Sequence, residues 1–104
     1  MKLPDKNLLP DWDEDNVSHI ARHGLSPEQV EEVYYSEGPF PTVALRKKRP
    51  HGKEIRYRIW GTDAAGSFIE TVVAIFPAYG VWRCVSAYEM SATTKKAYLK
   101  RVKR

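Results

Sequence analysis

The sequence predicts an α+β domain with two N-terminal helices, a four-stranded antiparallel meander sheet and a basic C-terminal helix. Two observations lead to this prediction. Apolar residues recur at helical spacing near both ends of the chain, whereas the middle alternates short β-rich runs with turn residues. A chain of 104 residues is large enough to bury one modest core, so we expect a single domain over residues 1–104.

Each N-terminal helix has its own start signal. In Asp11–Gly24, acidic residues crowd the beginning, where the helix dipole favours them, and Ile20 belongs to an apolar stripe. The second helix has Ser26 as N-cap and Pro27 at the first helical position, and Gln29 completes a capping box. Glycine ends the first helix, and a glycine with two prolines ends the second.

Four strands follow, separated by turn residues at short intervals. Each connection is short enough for an antiparallel hairpin. The third strand is apolar on both faces apart from Glu70 and Thr71, which indicates a central position. After the last strand, Ser91 is the expected cap of a terminal helix whose charged residues are all basic. The expected strands span residues 42–48, 54–60, 67–76 and 81–88.

Charge is divided unevenly along the chain. Residues 1–45 contain three Lys/Arg against nine Asp/Glu, a net −6, whereas residues 46–104 contain fourteen against four, a net +10. This asymmetry suggests that the second part meets a polyanion such as RNA. The alternative is a small basic domain with no nucleic-acid partner.

The remaining composition excludes several classes of protein. No apolar run approaches the roughly 20 residues of a membrane span, and the N-terminus lacks the apolar centre of a secretory signal. Cys84 is the single cysteine, so it has no partner for an internal disulfide or a metal site. We therefore expect a cytoplasmic protein without membrane contact, metal or cofactor.

Side-chain alternation places Arg56 and Arg58 together on one face of the second strand. In the last strand, the same alternation groups Arg83 with Val85 and puts Tyr88 on the opposite side. Whether Arg83 shares a face with the other two arginines depends on the register, which the sequence does not determine.

Two interpretations of the arginine face are open. Glu54 and Glu70 can neutralise it, in which case it is a solvated, salt-bridged surface. Alternatively, the guanidinium groups bind phosphate while neighbouring cations attract an RNA strand electrostatically. The candidate RNA-binding cations besides Arg58 are Arg46, Lys47, Lys48 and Arg49 in the first strand and the loop after it, and Lys95, Lys96, Lys100 and Arg101 in the last helix.

Three stretches, WDEDNVSHIARHGLSPEQVEEV, GKEIRYRIWGTDAAG and RCVSAYEMSATTKKAYLKR, together resemble the BrnT toxin family. BrnT toxins are the ribonuclease halves of type II toxin–antitoxin pairs and are similar in fold to RelE-type toxins. The resemblance covers most of the chain, from Trp12 to about Arg101. It depends on the order and spacing of several anchors, among them His23 with Gly24, Glu54 with Arg56 and Tyr57, and Ser86 with Ala87.

The resemblance implies metal-independent RNA cleavage and a cognate antitoxin protein that covers the toxin. Such cleavage needs a base for the ribose 2′-hydroxyl, cations for the phosphorane-like transition state and an acid for the departing 5′-oxygen. Arg56 matches the family motif and is the first candidate for holding the scissile phosphate, with Arg83 second. Side-chain alternation, and not the family motif, adds Arg58 as a further candidate. Glu54 either acts as the base or orients Arg56.

Two further candidates concern proton transfer. His23 has a side chain suited to this role at neutral pH, but its place before a glycine also suits a residue that only caps helix carbonyls. Tyr88 lies where the family usually has an arginine, and Thr94 where a glutamate is common. Tyr88 is then a candidate proton donor or base-stacking group.

The alternative to a ribonuclease is a non-catalytic relative that binds RNA or a protein partner through the basic sheet face. A third interpretation assigns the protein a structural role in a complex, with the terminal helix KKAYLKRVKR as its docking element.

Overall fold

A computed structural model describes residues 5–36, 38–46 and 54–102 and confirms the α+β class. Within these ranges, no helix has both the length and the apolar character needed to cross a bilayer. The elements are β1 (Leu9–Pro10), α1 (Glu14–Ala21), α2 (Pro27–Tyr34), β2 (Val43–Arg46), β3 (Ile55–Thr62), β4 (Phe68–Phe76), a 3₁₀ turn (Pro77–Tyr79), β5 (Val81–Glu89) and α3 (Ala92–Val102).

The sheet has five strands in the order β1-β5-β4-β3-β2. Strands β2 to β5 follow one another as antiparallel neighbours, and β4 is central, as its apolar sequence indicated. β1 pairs in parallel with β5: Leu9 N donates to Gly80 O at 2.9 Å, and Asp11 N donates to Trp82 O at 2.8 Å. The prediction of four antiparallel strands was therefore incomplete, because a two-residue strand containing proline leaves no alternation pattern to detect.

The first two helices begin at the capping residues that their sequences contain. The Asp13 carboxylate accepts from Asn16 N at 3.0 Å, and the Asn16 side chain accepts from Asp13 N at 2.8 Å. In α2, Ser26, Pro27 and Gln29 form the predicted N-terminus. α1 ends at Ala21, earlier than Gly24, and Gly24 follows in the left-handed conformation with φ 76°.

The two faces of the sheet differ in what covers them. We call the side packed against α1 and α2 the helix-covered face. Its strand residues include Ile59, Val73 and Trp82, all fully or nearly fully buried against the helices. Tyr34 stacks on Trp82 with 4.3 Å between the ring centroids. This layer is the main hydrophobic core.

We call the opposite side the open face, because α3 covers only one end of it. α3 packs on Trp60 and Phe68 through Tyr98, which is fully buried. The Tyr98 hydroxyl donates to Pro41 O at 2.7 Å, which ties α3 to the segment before β2. Beyond this small second core, the open face bears the three arginines of β3 and β5.

Candidate functional site

The register brings the three arginines of β3 and β5 to the open face. Arg56 is paired with Ala74 on β4, and Ala74 is paired with Arg83 on β5. Directly paired residues of neighbouring strands point to the same side, so Arg56 and Arg83 flank Ala74. Arg58 lies two residues further along β3 and points to the same side. Arg83 therefore shares a face with Arg56 and Arg58, which side-chain alternation alone did not determine.

A β-bulge changes the second half of β5. Val72 is paired with Ser86 but Val73 with Cys84, so Val85 is the extra residue. Because of the bulge, Tyr88 lies on the open face together with Arg83, and it is paired there with Glu70 of β4. Simple alternation, which separated Arg83 from Tyr88, was wrong at this point because one unpaired residue reverses the side on which all later residues lie.

Arg83 is held by two carboxylates. Its Nη1 donates to Asp11 Oδ2 at 2.8 Å and its Nη2 to Asp13 Oδ2 at 2.6 Å. The hydrogen bond from Asn16 N, and then the Arg83 guanidinium, lower the pKa of Asp13. The two aspartates in turn raise the pKa of Arg83. An incoming phosphate must compete with both carboxylates, so this arginine primarily links β5 to the segment between β1 and α1.

Arg56 is also paired. Its Nε donates to Glu54 Oε1, and both side chains are about three-quarters buried. The contact agrees with the alternative in which Glu54 orients Arg56 rather than acting as a base.

Of the three arginines of β3 and β5, Arg58 has the loosest ionic contact. Its side chain is 46% exposed, and its Nε lies 3.8 Å from Glu70 Oε2, too far for a hydrogen bond. The guanidinium carbon lies 5.4 Å from the centroid of the Trp60 ring, and that of Arg101 on α3 lies 5.7 Å from the same ring. Two cations from different elements therefore converge beside one tryptophan.

Glu70 lies beside Arg58, Tyr88 is paired with Glu70, and His23 lies beside Tyr88. Burial, and then the Glu70 carboxylate, raise the pKa of Tyr88, so the hydroxyl keeps its proton at neutral pH. Glu70 is only 7% exposed. The ring of His23, which is exposed after the end of α1, lies 5.9 Å from that of Tyr88. A cation, a protonated hydroxyl and an imidazole thus lie close together at the edge of the open face.

The other predicted RNA-binding residues are spread more widely. Arg46 is exposed and is paired with Tyr57, so it points to the helix-covered side. On α3, the Lys95 ammonium lies 4.3 Å from the Phe68 ring centroid, and Lys96 and Lys100 are exposed. Lys47, Lys48 and Arg49 lie outside the described residues.

Sequence reasoning missed one member of this cluster. Glu70 was weighed only as a counter-charge, although a single carboxylate within an otherwise apolar central strand is itself a signal of a site. Trp60 contributes the ring shared by two arginines, and its buried Nε1 donates to none of the described residues. A buried donor without a partner is uncommon in proteins and marks this place as unusual.

Comparisons of the chain with protein families, curated proteins and solved structures return no match. Among residues 5–36, 38–46 and 54–102, no three His, Cys, Asp or Glu side chains group as metal ligands.

Proposed function

We propose that this protein is a metal-independent endoribonuclease of the BrnT toxin type, with a RelE-like arrangement of its helices and meander. In this proposal the protein acts in the cytoplasm and a cognate antitoxin keeps it silent. The supporting observation is the convergence of Arg58, Glu70, Tyr88 and His23 at one edge of a sheet face that also bears Arg56 and Arg83.

Arg58 is the proposed ligand of the scissile phosphate. Its guanidinium is exposed, and no carboxylate among the described residues lies within hydrogen-bond distance of it, so no such bond has to be broken before it binds an anion. Arg101 supplies a second cation beside the same Trp60 ring. Paired guanidinium groups suit the negative charge that develops on the phosphorane-like transition state.

The two proton transfers fall to His23 and Tyr88. His23 takes the proton from the ribose 2′-hydroxyl, whose oxygen attacks phosphorus to form a 2′,3′-cyclic phosphate. The bond from phosphorus to the 5′-oxygen breaks, and Tyr88 donates its proton to that oxygen. Because Glu70 lies beside Tyr88, the carboxylate orients the hydroxyl and disfavours its ionised form.

The remaining cations have no part in cleavage. Carboxylates hold Arg56 and Arg83 on the open face, with Glu54 bound to Arg56 and with Asp11 and Asp13 bound to Arg83. Lys95, Lys96 and Lys100 on α3 add attraction that salt screens.

The test compares two arginines of opposite faces. Purified protein is incubated with single-stranded RNA in excess chelator, and the products are analysed for 2′,3′-cyclic phosphate ends. Arg58→Ala should lower the cleavage rate roughly 100-fold, the usual cost of removing one transition-state donor. Arg46→Ala removes the same charge from an exposed position on the other side and should cleave as the wild type does. In bacteria, induction of the wild type should arrest growth, and Arg58→Ala should relieve the arrest.

A second candidate function is RNA or protein binding without catalysis. The ion pairs of Arg56 and Arg83 favour it over catalysis, since an arginine held by carboxylates is less available to hold a scissile phosphate. Intact RNA in vitro together with normal growth on induction would reject the ribonuclease proposal and leave this candidate.

A further inference from the structure

A groove of about 430 Å³ lies on the open face beyond the row formed by Arg56 and Arg83. Phe76 and Val81, which are paired across β4 and β5, form its floor. Tyr79, from the 3₁₀ turn, forms one wall, and Asp11 and Arg83 form the border toward the arginine row. The volume lies within the range of small-molecule sites in proteins.

Tyr79 is unusually placed for an aromatic residue. Its side chain is 81% exposed, and the other exposed large apolar side chain among the described residues, Leu9 at 66%, belongs to the same end of the sheet. An aromatic ring beside an apolar floor suits a planar ligand, and the bases of single-stranded RNA stack on such rings.

Asp11 adds a polar group that distinguishes between bases. Its Oδ2 accepts from Arg83, whereas its Oδ1 accepts no hydrogen bond from the part of the chain that the structure describes. The carboxylate is 47% exposed. A carboxylate oxygen accepts from the exocyclic amino group of cytosine, adenine or guanine. Uracil has no such group, and its two carbonyl oxygens flank its one imino N–H.

We propose that this groove is a nucleobase subsite for single-stranded RNA, in which Tyr79 stacks on a base and Asp11 selects an amino-bearing base over uracil. The inference rests on RNA as the substrate of the proposed function. It adds a place at which the protein selects among RNA bases, several residues along the strands from Arg58 and Tyr88.

The experiment measures binding and not cleavage. Labelled 2′-O-methyl oligonucleotides of cytosine and of uracil carry the same phosphates and lack the free 2′-hydroxyl, and their affinities are measured by fluorescence anisotropy. Tyr79→Ala should bind the cytosine oligonucleotide roughly ten-fold more weakly than the wild type, and Tyr79→Phe, which keeps the ring, should bind it equally well. Because Tyr79 is exposed, both variants should fold, which circular dichroism checks.

Asp11 and Asp13 provide a matched pair for base selection, because both are bound to Arg83 and both side chains are 47% exposed, yet only Asp11 borders the groove. The wild type should prefer cytosine over uracil by about five-fold or more. Asp11→Asn should lose this preference and Asp13→Asn should keep it.

The failure of this inference is distinguishable from failure of the proposed function. If the wild type binds both oligonucleotides and Tyr79→Ala binds them equally well, the subsite is overturned and a protein partner becomes the better occupant of the groove. Equal loss of preference in Asp11→Asn and Asp13→Asn overturns the selecting role of Asp11. If the wild type binds neither oligonucleotide, RNA is not the substrate and both proposals fall together.

Discussion

The two faces of the sheet have different compositions, although the same strands build both. On the helix-covered face, Ile59, Val73 and Trp82 are sealed beneath α1 and α2. On the open face, α3 covers only the end around Trp60, and the other side chains include three arginines and Tyr88. We therefore expect stability to derive mainly from the helix-covered face, and we propose the open face for ligand binding. Substitutions on each face can test this division.

The largest expected effect on stability is that of Trp82→Ala. The side chain is fully buried and stacked on Tyr34, so its removal leaves a large cavity in the main core. We expect the free energy of unfolding, measured by urea denaturation, to fall by about 3–5 kcal/mol. Tyr79→Ala also removes an aromatic ring, but from an exposed position on the open face. Its free energy of unfolding should stay within about 0.5 kcal/mol of the wild-type value. Similar losses in the two variants would contradict the division between the faces.

A smaller effect is expected where α3 covers the open face. Tyr98→Phe removes the hydroxyl that donates to Pro41 O, and we expect it to cost about 1 kcal/mol at neutral pH. Burial raises the pKa of Tyr98 to about 12. Because the folded state holds the proton more tightly than the unfolded state, this contribution is complete below pH 10.0 and is lost as the pH rises toward 12. The difference between wild type and variant should therefore shrink over that interval, and a constant difference would contradict the assignment.

The smallest of the three effects is expected at the ion pairs of Arg83. Asp13→Asn retains a good N-cap residue but loses the charge bound by the guanidinium. Because the pKa of Asp13 is lowered from 3.8, its contribution is complete above pH 3.8 and is lost as the pH falls through the folded-state value. The stability difference between wild type and variant should therefore vanish in acid and weaken in high salt. Asp15→Asn, in the same helical turn, removes a charge that Arg83 does not bind and is the control for loss of the ion pair itself.

Much of the fold was predictable because local signals suffice for it. Ser26, Pro27 and Gln29 form a complete helix start within four residues, and the apolar sequence of β4 indicated its central place. β1 was missed because Leu9–Pro10 is too short for a pattern and its partner Val81 lies far along the chain. Pairing of this kind is decided by tertiary packing and not by local propensity.

The candidate site was predictable in its residue types but not in its geometry. Arg58, Tyr88 and His23 were all candidates from the sequence, yet the bulge at Val85 determines that Tyr88 faces the arginines. A bulge depends on how two strands fit together and leaves no required residue in either. For the same reason, the pairing of Arg83 with Asp11 and Asp13, about 70 residues away, was not visible in advance.

Pro10 has a consequence for self-association. The N–H groups of Leu9 and Asp11 donate to β5, on the inner side of β1. The position between them, which faces outward, is Pro10, and proline has no N–H. An approaching strand from another molecule would meet a carbonyl there but no donor, and a continuous ladder could not start. This margin of the sheet is thereby protected against edge-to-edge polymerisation, the hazard that unpaired β-edges present in concentrated solution.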